Sequence, residues 1–164
     1  VEQLLELSRL SDNPQLTIAT YRLHTLMAMP ADSFTRLATQ NQLTLTCAIP
    51  DNLWLDCDAQ AFEKIIFNLI ANAIKYTPEH GVITIKTYRQ HGEWYVDITD
   101  NGPGIPPEEY EKVVQRFYRL EKSRTTPGSG LGLALVFAVL KLHKLNLDFS
   151  DNNPGLKVTV SAHK

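Results

Sequence analysis

The sequence predicts an α/β two-layer sandwich. Segments with the alternating pattern of strands are mixed with three or four helical segments, and neighbouring strands are joined by hairpin turns instead of regular crossovers. The chain has 164 residues, of which 43% are hydrophobic and 21% charged, which is enough for one domain with a real core. The net charge of −2 gives no indication of a nucleic-acid partner.

The cysteines and the apolar runs indicate the cellular environment that the sequence favours. Cys47 and Cys57 lack metal-type spacing, so we expect two buried, reduced thiols in a cytosolic protein. The given residues show no signal-peptide pattern, and the longest apolar run, residues 131–140, is shorter than the ~20 residues that span a bilayer. Since residue 1 is not Met and lies within a helical pattern, we expect a fragment of a longer protein.

The first predicted elements are short or interrupted. Residues 1–11 predict the end of an amphipathic helix, which stops at the Ser-Asp-Asn-Pro run of residues 11–14. Residues 16–23 predict a short strand, and the helical stretch that follows to about residue 40 is expected to break at Pro30. Residues 43–47 alternate β-forming side chains and predict another strand.

A longer helix is predicted over residues 59–75. Asp58 is its expected N-cap, and Thr77-Pro78 ends it. Its apolar positions recur at helical spacing and form one stripe: Phe62, Ile65, Ile66, Leu69, Ile70 and Ala73.

The second half of the chain predicts two hairpins that flank two helices and a loop. Residues 82–88 and 93–99 predict an antiparallel hairpin. Pro106-Pro107-Glu108-Glu109 predicts the start of a helix that continues to about residue 117, since proline and acids favour a first turn. A polar, mobile loop is expected over residues 118–130. An apolar helix over 131–144 and a last strand pair, 145–150 with 156–161, complete the chain.

Polar side chains gather on one edge of the helix over residues 59–75. Asn68, Asn72, Lys75 and Tyr76 lie at spacings that share a face, largely apart from the apolar stripe. An asparagine oxygen suits Mg²⁺ and a lysine ammonium suits phosphate, so this edge could meet a ligand. On spacing alone, a solvated helix edge remains open.

Two glycine-containing segments complete a pattern typical of a nucleotide site. The first segment, Asp100-Asn101-Gly102-Pro103-Gly104, follows a strand. The Asp100 carboxylate could accept a hydrogen bond from an adenine amino group, and the glycines allow close approach of the backbone. The alternative that this segment is a plain turn remains open. Residues 128–133, Gly-Ser-Gly-Leu-Gly-Leu, precede a helix and could offer backbone amides to phosphate. They match neither a P-loop nor a dinucleotide fingerprint. The alternative that they form only a flexible loop before a packed helix remains open.

In combination, these segments resemble the ATP-binding catalytic domain of sensor histidine kinases, within the superfamily of gyrase, chaperone and mismatch-repair ATPases. NLIANAIKYTP (68–78) is similar to the N box, DNGPGI (100–105) to the first glycine box, RFYR (116–119) and the loop after it to the F box and lid, and GSGLGLALV (128–136) to the second glycine box. The resemblance covers residues 14–164, and residues 1–13 resemble the tail of a dimerisation helix.

The resemblance implies a Bergerat-type sandwich: a mixed sheet with helices on one face, and ATP bound under a flexible lid. It implies that Asn72 ligates Mg²⁺, Lys75 contacts the phosphates, Tyr76 walls the nucleotide and Asp100 binds the adenine amino group. Arg124 is the lid cation expected at the γ-phosphate, and Asn68, Lys75 and Arg124 are the expected catalytic residues. The remaining expected nucleotide contacts are Gly102, Gly104, Ile105, Phe117, Tyr118, Gly128, Ser129, Gly130, Leu131, Gly132 and Leu133.

Position 68 distinguishes the branches of the superfamily. The hydrolysing branches carry a Glu there that activates water, whereas Asn68 cannot act as a general base at neutral pH. We therefore expect slow hydrolysis, with the γ-phosphoryl reserved for another acceptor. Two departures from the family pattern are Val114, where the F box usually begins with Phe, and Lys144-Leu145, where Gly-Gly is frequent.

The acceptor expected of a complete kinase is absent from this sequence. None of the five histidines is followed by an acid and then by Pro five residues on: His24, His80, His91, His143 and His163. The resemblance thus implies a kinase domain that binds ATP, with partners in the dimerisation and acceptor helices of the same protein and in a response-regulator receiver domain. We expect this fragment to be monomeric and its parent to be a homodimer; the family leaves an inner-membrane location of the parent open.

Two other functions remain open at this stage. One is an ATP-sensing or interaction domain that has lost phosphotransfer. Adding separate acceptor-helix protein would distinguish this domain from a kinase domain. The other is an ATP-hydrolysing machine of the gyrase type, against which Asn68 argues.

Overall fold

The N-terminal half contributes a small strand pair, two long helices and an edge strand. The computed structural model describes residues 17–50, 52–112, 136, 138–141 and 144–162. Strand β1 (Ala19–Arg22) leads into helix α1 (Leu23–Gln40), and strand β2 (Thr44–Ala48) follows. Strand β3 (Trp54–Cys57) then precedes helix α2 (Ala59–Tyr76), and β1 pairs antiparallel with β3 as a separate ribbon.

The C-terminal half supplies the two hairpins of the main sheet. Strands β4 (Val82–Gln90) and β5 (Glu93–Asp100) form the first, and β6 (Leu145–Asp151) and β7 (Leu156–Ala162) form the second. The described sheet has the order β2-β4-β5-β7-β6, in which β2 runs parallel to β4 and the other pairs are antiparallel. The predicted mixed sheet and both hairpins are confirmed.

The core lies between the helices and one face of the sheet. The whole predicted stripe of α2 is buried, together with Ile74. Alternate residues of three central strands are buried with it, as a period of two requires: Ile83, Ile85, Val96, Ile98, Val158 and Val160. The predicted two-layer sandwich is confirmed, and α2 is fixed along its length against the sheet.

Helix α1 corrects the predicted break at Pro30. The helix continues from Leu23 to Gln40. Met27 and Phe34, which flank the proline, are both buried on the core side of the helix. A proline inside a helix costs about 3 kcal/mol, and burial of apolar side chains on both sides is large enough to offset that cost.

Two other elements differ from the prediction. Strand β3 was missed, although its alternate burial of Leu55 and Cys57 is typical of a strand. The predicted helix from residue 106 is a single 3₁₀ turn, Pro107–Glu109, in its described part; residues 113–117 lie outside the described residues. The turn itself has no buried residue.

Other predictions are tested only in part. Residues 136 and 138–141 are helical and Val136, Val139 and Leu140 are buried, as expected of the apolar helix, but Lys144 already lies in a turn with φ of 56°. Cys57 is buried as expected, whereas Cys47, on the edge strand β2, is exposed. The helix predicted over residues 1–11, the domain boundary at 13/14 and the loop over 118–130 lie outside the described residues.

Candidate nucleotide-binding site

The C-terminal half of α2 carries the predicted polar edge. Asn68 and Asn72 are half-buried, whereas Lys75 and Tyr76 are exposed. The Asn68 amide donates from Nδ2 to the backbone carbonyl of Lys64 at 2.8 Å, and Lys75 Nζ lies 5.2 Å from the centroid of the Tyr76 ring. The helix thus presents amide, ammonium and aromatic groups along one edge while its opposite face is buried.

Both ends of α2 are fixed by local interactions. At the start, Asp58 Oδ1 accepts the N–H of Ala61 at 3.0 Å, which confirms the predicted N-cap. At the end, Thr77 has extended backbone angles and precedes Pro78, which disfavours a helical residue before it. The helix therefore stops immediately after Tyr76, beside the end of β5.

The turn after β5 packs against this end of α2. A Cβ at Gly102 would lie 3.3 Å from the Tyr76 carbonyl oxygen and 3.4 Å from Pro78 Cδ, so a glycine permits the close approach. Asn101 Oδ1 accepts the N–H of Val82 at 2.8 Å and fixes the turn to the start of β4. Two segments predicted separately, the Asn72–Tyr76 edge and the Asp100–Gly104 turn, thereby meet at one end of the sheet.

The Asp100 carboxyl is half-buried and partly satisfied by the backbone. Its Oδ1 accepts the N–H of Gly102 at 2.9 Å and that of Leu156 at 3.3 Å. Burial raises the pKa of Asp100 above its ordinary value, while these two hydrogen bonds act to lower the pKa. With Oδ1 occupied in this way, Oδ2 is the oxygen suited to accept a hydrogen bond from a ligand.

The β6–β7 turn closes the other side of the Asp100 segment. Gly104 has φ of 75°, and a Cβ there would lie 2.8 Å from the Gly155 carbonyl oxygen. Gly155 has φ of 112°, and a Cβ there would overlap the Asp100 carbonyl oxygen. Since neither position tolerates a side chain without displacement, the two backbone segments are in direct contact.

Sequence reasoning missed the residues of this turn. Asn152, Gly155 and Leu156 all contact Asp100, but residues 151–155 were interpreted only as a connection between strands. A glycine after Asn-Asn-Pro is a signal that could have indicated a special backbone conformation, but it does not identify the element that the turn approaches. Thr77, which was predicted only as the end of α2, is buried, and its Oγ1 has no hydrogen-bond partner in the part of the chain that the structure describes.

The other predicted site residues divide into two groups. Ile105 is half-buried directly after the Asp100–Gly104 turn. The expected F-box, lid and second glycine-box residues all lie outside the described residues: Phe117, Tyr118, Arg124, Gly128, Ser129, Gly130, Leu131, Gly132 and Leu133. Over the described ranges, no group of three or more His, Cys, Asp and Glu side chains is arranged to hold a metal ion.

Comparison with known proteins identifies the family. The family model of histidine kinase-, DNA gyrase B- and HSP90-like ATPases matches residues 57–164, and the chain belongs to this family. The sensor histidine kinase TmoS of Ectopseudomonas mendocina is 32% identical over 160 residues, which cover 94% of this chain and 16% of TmoS.

Solved structures agree with the observed architecture. The catalytic domain of the histidine kinase ThkA superposes with a TM-score of 0.79 at 20% identity, over 90% of this chain and 97% of that domain. Full-length ShkA in complex with AMPPNP superposes with a TM-score of 0.84 at 21% identity, over 98% of this chain and 34% of ShkA. The fold is that of a histidine kinase catalytic domain, as the sequence predicted.

Proposed function

We propose that this chain binds Mg·ATP and supplies the γ-phosphoryl group for phosphorylation of a histidine on a dimerisation helix that lies outside this sequence. A response-regulator aspartate would then receive the group. The observation that carries the proposal is the meeting of the Asp100–Gly104 turn with the polar edge of α2, in a chain of the histidine kinase-like ATPase family.

The geometry supports a division of roles within the site. Asp100 Oδ2 accepts a hydrogen bond from the adenine amino group, since Oδ1 already accepts hydrogen bonds from two backbone amides. Gly102 and Gly104 let this turn pack closely against the end of α2 and the β6–β7 turn, and the exposed Tyr76 ring forms a wall beside it. Lys75, exposed at the same end of α2, neutralises phosphate charge. Arg124, the second glycine box and the F-box aromatics complete the contacts that the family resemblance implies.

The donor chemistry of the α2 edge fits a magnesium ion. Mg²⁺ prefers hard oxygen ligands and is usually held by one or two protein oxygens together with substrate phosphates and water. Asn72 offers one amide oxygen, half-buried and one helical turn before Tyr76. Bound there, Mg²⁺ would neutralise charge on the ATP phosphates, and Asn72 is the residue that we assign to it.

Asn68 supports transfer to a protein acceptor over hydrolysis. Its amide has no proton-accepting group of suitable pKa, and its Nδ2 is hydrogen-bonded to the Lys64 carbonyl within the helix. Water near the γ-phosphate therefore lacks a general base at this position. Phosphoryl transfer depends mostly on positioning and charge neutralisation, which Lys75 and the expected Arg124 supply.

The partners follow from the same proposal. We infer that residues 14–164 form the catalytic domain, that residues 1–13 end a dimerisation helix, and that a parent homodimer presents the acceptor helices. None of the described helices is both long and apolar enough to span a bilayer. We place the domain in the cytoplasm, where ATP and a receiver domain are available.

The first test is titration calorimetry with a non-hydrolysable ATP analogue, with and without Mg²⁺. We expect saturable binding that depends on Mg²⁺. Binding should weaken at least about tenfold in Asp100→Asn, because an unpaired amide donor then faces the adenine amino group. Binding should also be impaired in Asn72→Asp, because an added negative charge then faces the ligand. Asn41→Asp, exposed at the end of α1, adds the same charge away from the site and should bind normally. Absence of binding at millimolar analogue, or normal affinity in Asn72→Asp, would contradict the proposal.

A further inference from the structure

One turn, residues 151–155 between β6 and β7, contacts Asp100 in three ways. Asn152 Nδ2 donates to the Asp100 carbonyl oxygen at 2.7 Å. Leu156, directly after the turn, donates its N–H to Asp100 Oδ1 at 3.3 Å. Gly155 packs its Cα against the Asp100 carbonyl so closely that a Cβ would overlap it.

The turn is itself held by short-range hydrogen bonds. Asn152 donates its backbone N–H to the Gly155 carbonyl at 3.0 Å, and Asp151 Oδ1 accepts the N–H of Asn153 at 2.9 Å. The same Gly155 carbonyl is the group that Gly104 approaches. A defined loop thus lies between the end of β5 and the glycine turn that follows it.

The side chain of Asn152 is the contact in this set that a substitution can remove without displacing backbone. Its amide joins the turn to the main chain of Asp100, 52 residues away, and the Leu156 N–H that meets the carboxylate lies four residues after it. At 3.3 Å that second hydrogen bond is near the long limit of good geometry, so a small movement of the turn would break it.

We propose that Asn152 is a positioning residue for base recognition, which fixes the β6–β7 turn to Asp100 so that the carboxylate keeps one oxygen on backbone amides and the other available for an adenine amino group. The inference rests on the proposed function, since Asp100 is taken there as the adenine acceptor. Asn152 does not touch the nucleotide in this account, and acts through Asp100 alone.

The test compares ATP with inosine triphosphate, in which an oxygen replaces the 6-amino group. Wild-type protein should prefer ATP, because a carboxylate repels the oxygen of inosine. In Asn152→Ala we expect affinity for ATP to fall about fivefold, equivalent to one hydrogen bond, while affinity for inosine triphosphate changes less than about twofold. Asn152→Asp also loses the donor and places a negative charge beside the Asp100 carbonyl oxygen, so its affinity for ATP should fall at least as far.

The control separates positioning from general stability. Asn41 also donates its side-chain amide to a backbone carbonyl, that of Leu37 at 2.9 Å, and is also exposed. Asn41→Ala should leave the ratio of the two affinities unchanged. An unchanged ratio in Asn152→Ala would overturn the inference, whether both affinities fall by the same factor, which would indicate a merely structural role, or neither affinity changes.

A measurement without nucleotide distinguishes this inference from the proposed function. Because the Gly102 and Leu156 amides lower the pKa of Asp100, loss of the Leu156 bond should raise the pKa further in Asn152→Ala, as followed by NMR of the Asp100 carboxyl carbon. An unchanged pKa overturns the inference whatever the nucleotides do. A raised pKa in a protein that binds neither nucleotide supports the positioning contact and overturns the proposed function.

Discussion

Asp100, the proposed adenine acceptor, carries an energetic cost. Its half-buried carboxyl has a pKa raised above the ordinary value of 3.8, because burial outweighs the two amide hydrogen bonds. Between that value and the raised one, the folded protein binds a proton that the unfolded chain has released. Ionisation of Asp100 therefore lowers the free energy of unfolding progressively as pH rises through this window, and the loss is complete above the raised pKa.

The corresponding prediction concerns Asp100→Asn. The amide oxygen can still accept the Gly102 and Leu156 amides, while the ionisation is removed. We expect the free energy of unfolding of the variant, relative to wild type, to increase between pH 3.5 and pH 7 in urea titrations, although ATP binding is weakened. Asp148→Asn, exposed on β6, serves as the control. A relative stability that falls with rising pH would refute this account of Asp100.

At the scale of elements, α2 connects the core to the site. Its stripe is buried in the core, and its other edge carries Asn72 and Lys75. The N-cap, Asp58, uses both carboxylate oxygens: Oδ1 accepts from Ala61 N–H and Oδ2 accepts from Thr17 N–H at 2.9 Å. Asp58 thus joins the start of the helix to the segment that precedes β1.

We expect Asp58→Ala to lower the free energy of unfolding by about 1 kcal/mol, the usual effect of losing an N-cap. Asp58→Asn retains an acceptor oxygen and should retain most of the stability, as measured by urea unfolding of both variants beside wild type. ATP affinity should change little in either, because the cap lies at the opposite end of α2 from Asn72 and Tyr76. A loss of ATP binding as large as that in Asp100→Asn would show that the two ends of α2 are coupled.

Local signals predicted the elements that local physics determines. The stripe and cap of α2 and the two hairpins follow from periodicity and turn residues, and they were predicted correctly. The break at Pro30 was wrong because packing on both sides of the proline overrides intrinsic propensity. Strand β3 was missed because its four residues gain their partner from β1, 32 or more residues earlier.

At the scale of the whole molecule, the site depends on contacts between distant segments. The glycine turn and the α2 edge could each be predicted from residue types, and the family resemblance joined them. The contribution of Asn152, Gly155 and Leu156 could not be predicted, because it depends on how the β6–β7 hairpin lies beside β5. Such a contact spans 52 to 56 residues and leaves no periodic signal in the sequence.

In the proposed function, the phosphoacceptor histidine lies on a separate helix. The described histidines are exposed and lie outside an acceptor context: His24 in the first turn of α1, His80 before β4, and His91 in the β4–β5 turn. We expect no phosphorylation when this chain is incubated alone with Mg·ATP labelled at the γ-phosphate. Addition of a separately produced dimerisation hairpin with its acceptor histidine should yield an acid-labile phosphohistidine on the hairpin.

The outcome separates transfer from binding because both reactions use the same ATP site. Asn72→Asp should abolish labelling of the hairpin, whereas Asn41→Asp, with the same added charge at the exposed end of α1, should retain it. Release of inorganic phosphate by the chain alone should be slow, since Asn68 offers no general base. Labelling of a histidine of this chain in the absence of the hairpin, or hydrolysis faster than transfer, would contradict a catalytic domain that acts on a separate acceptor helix.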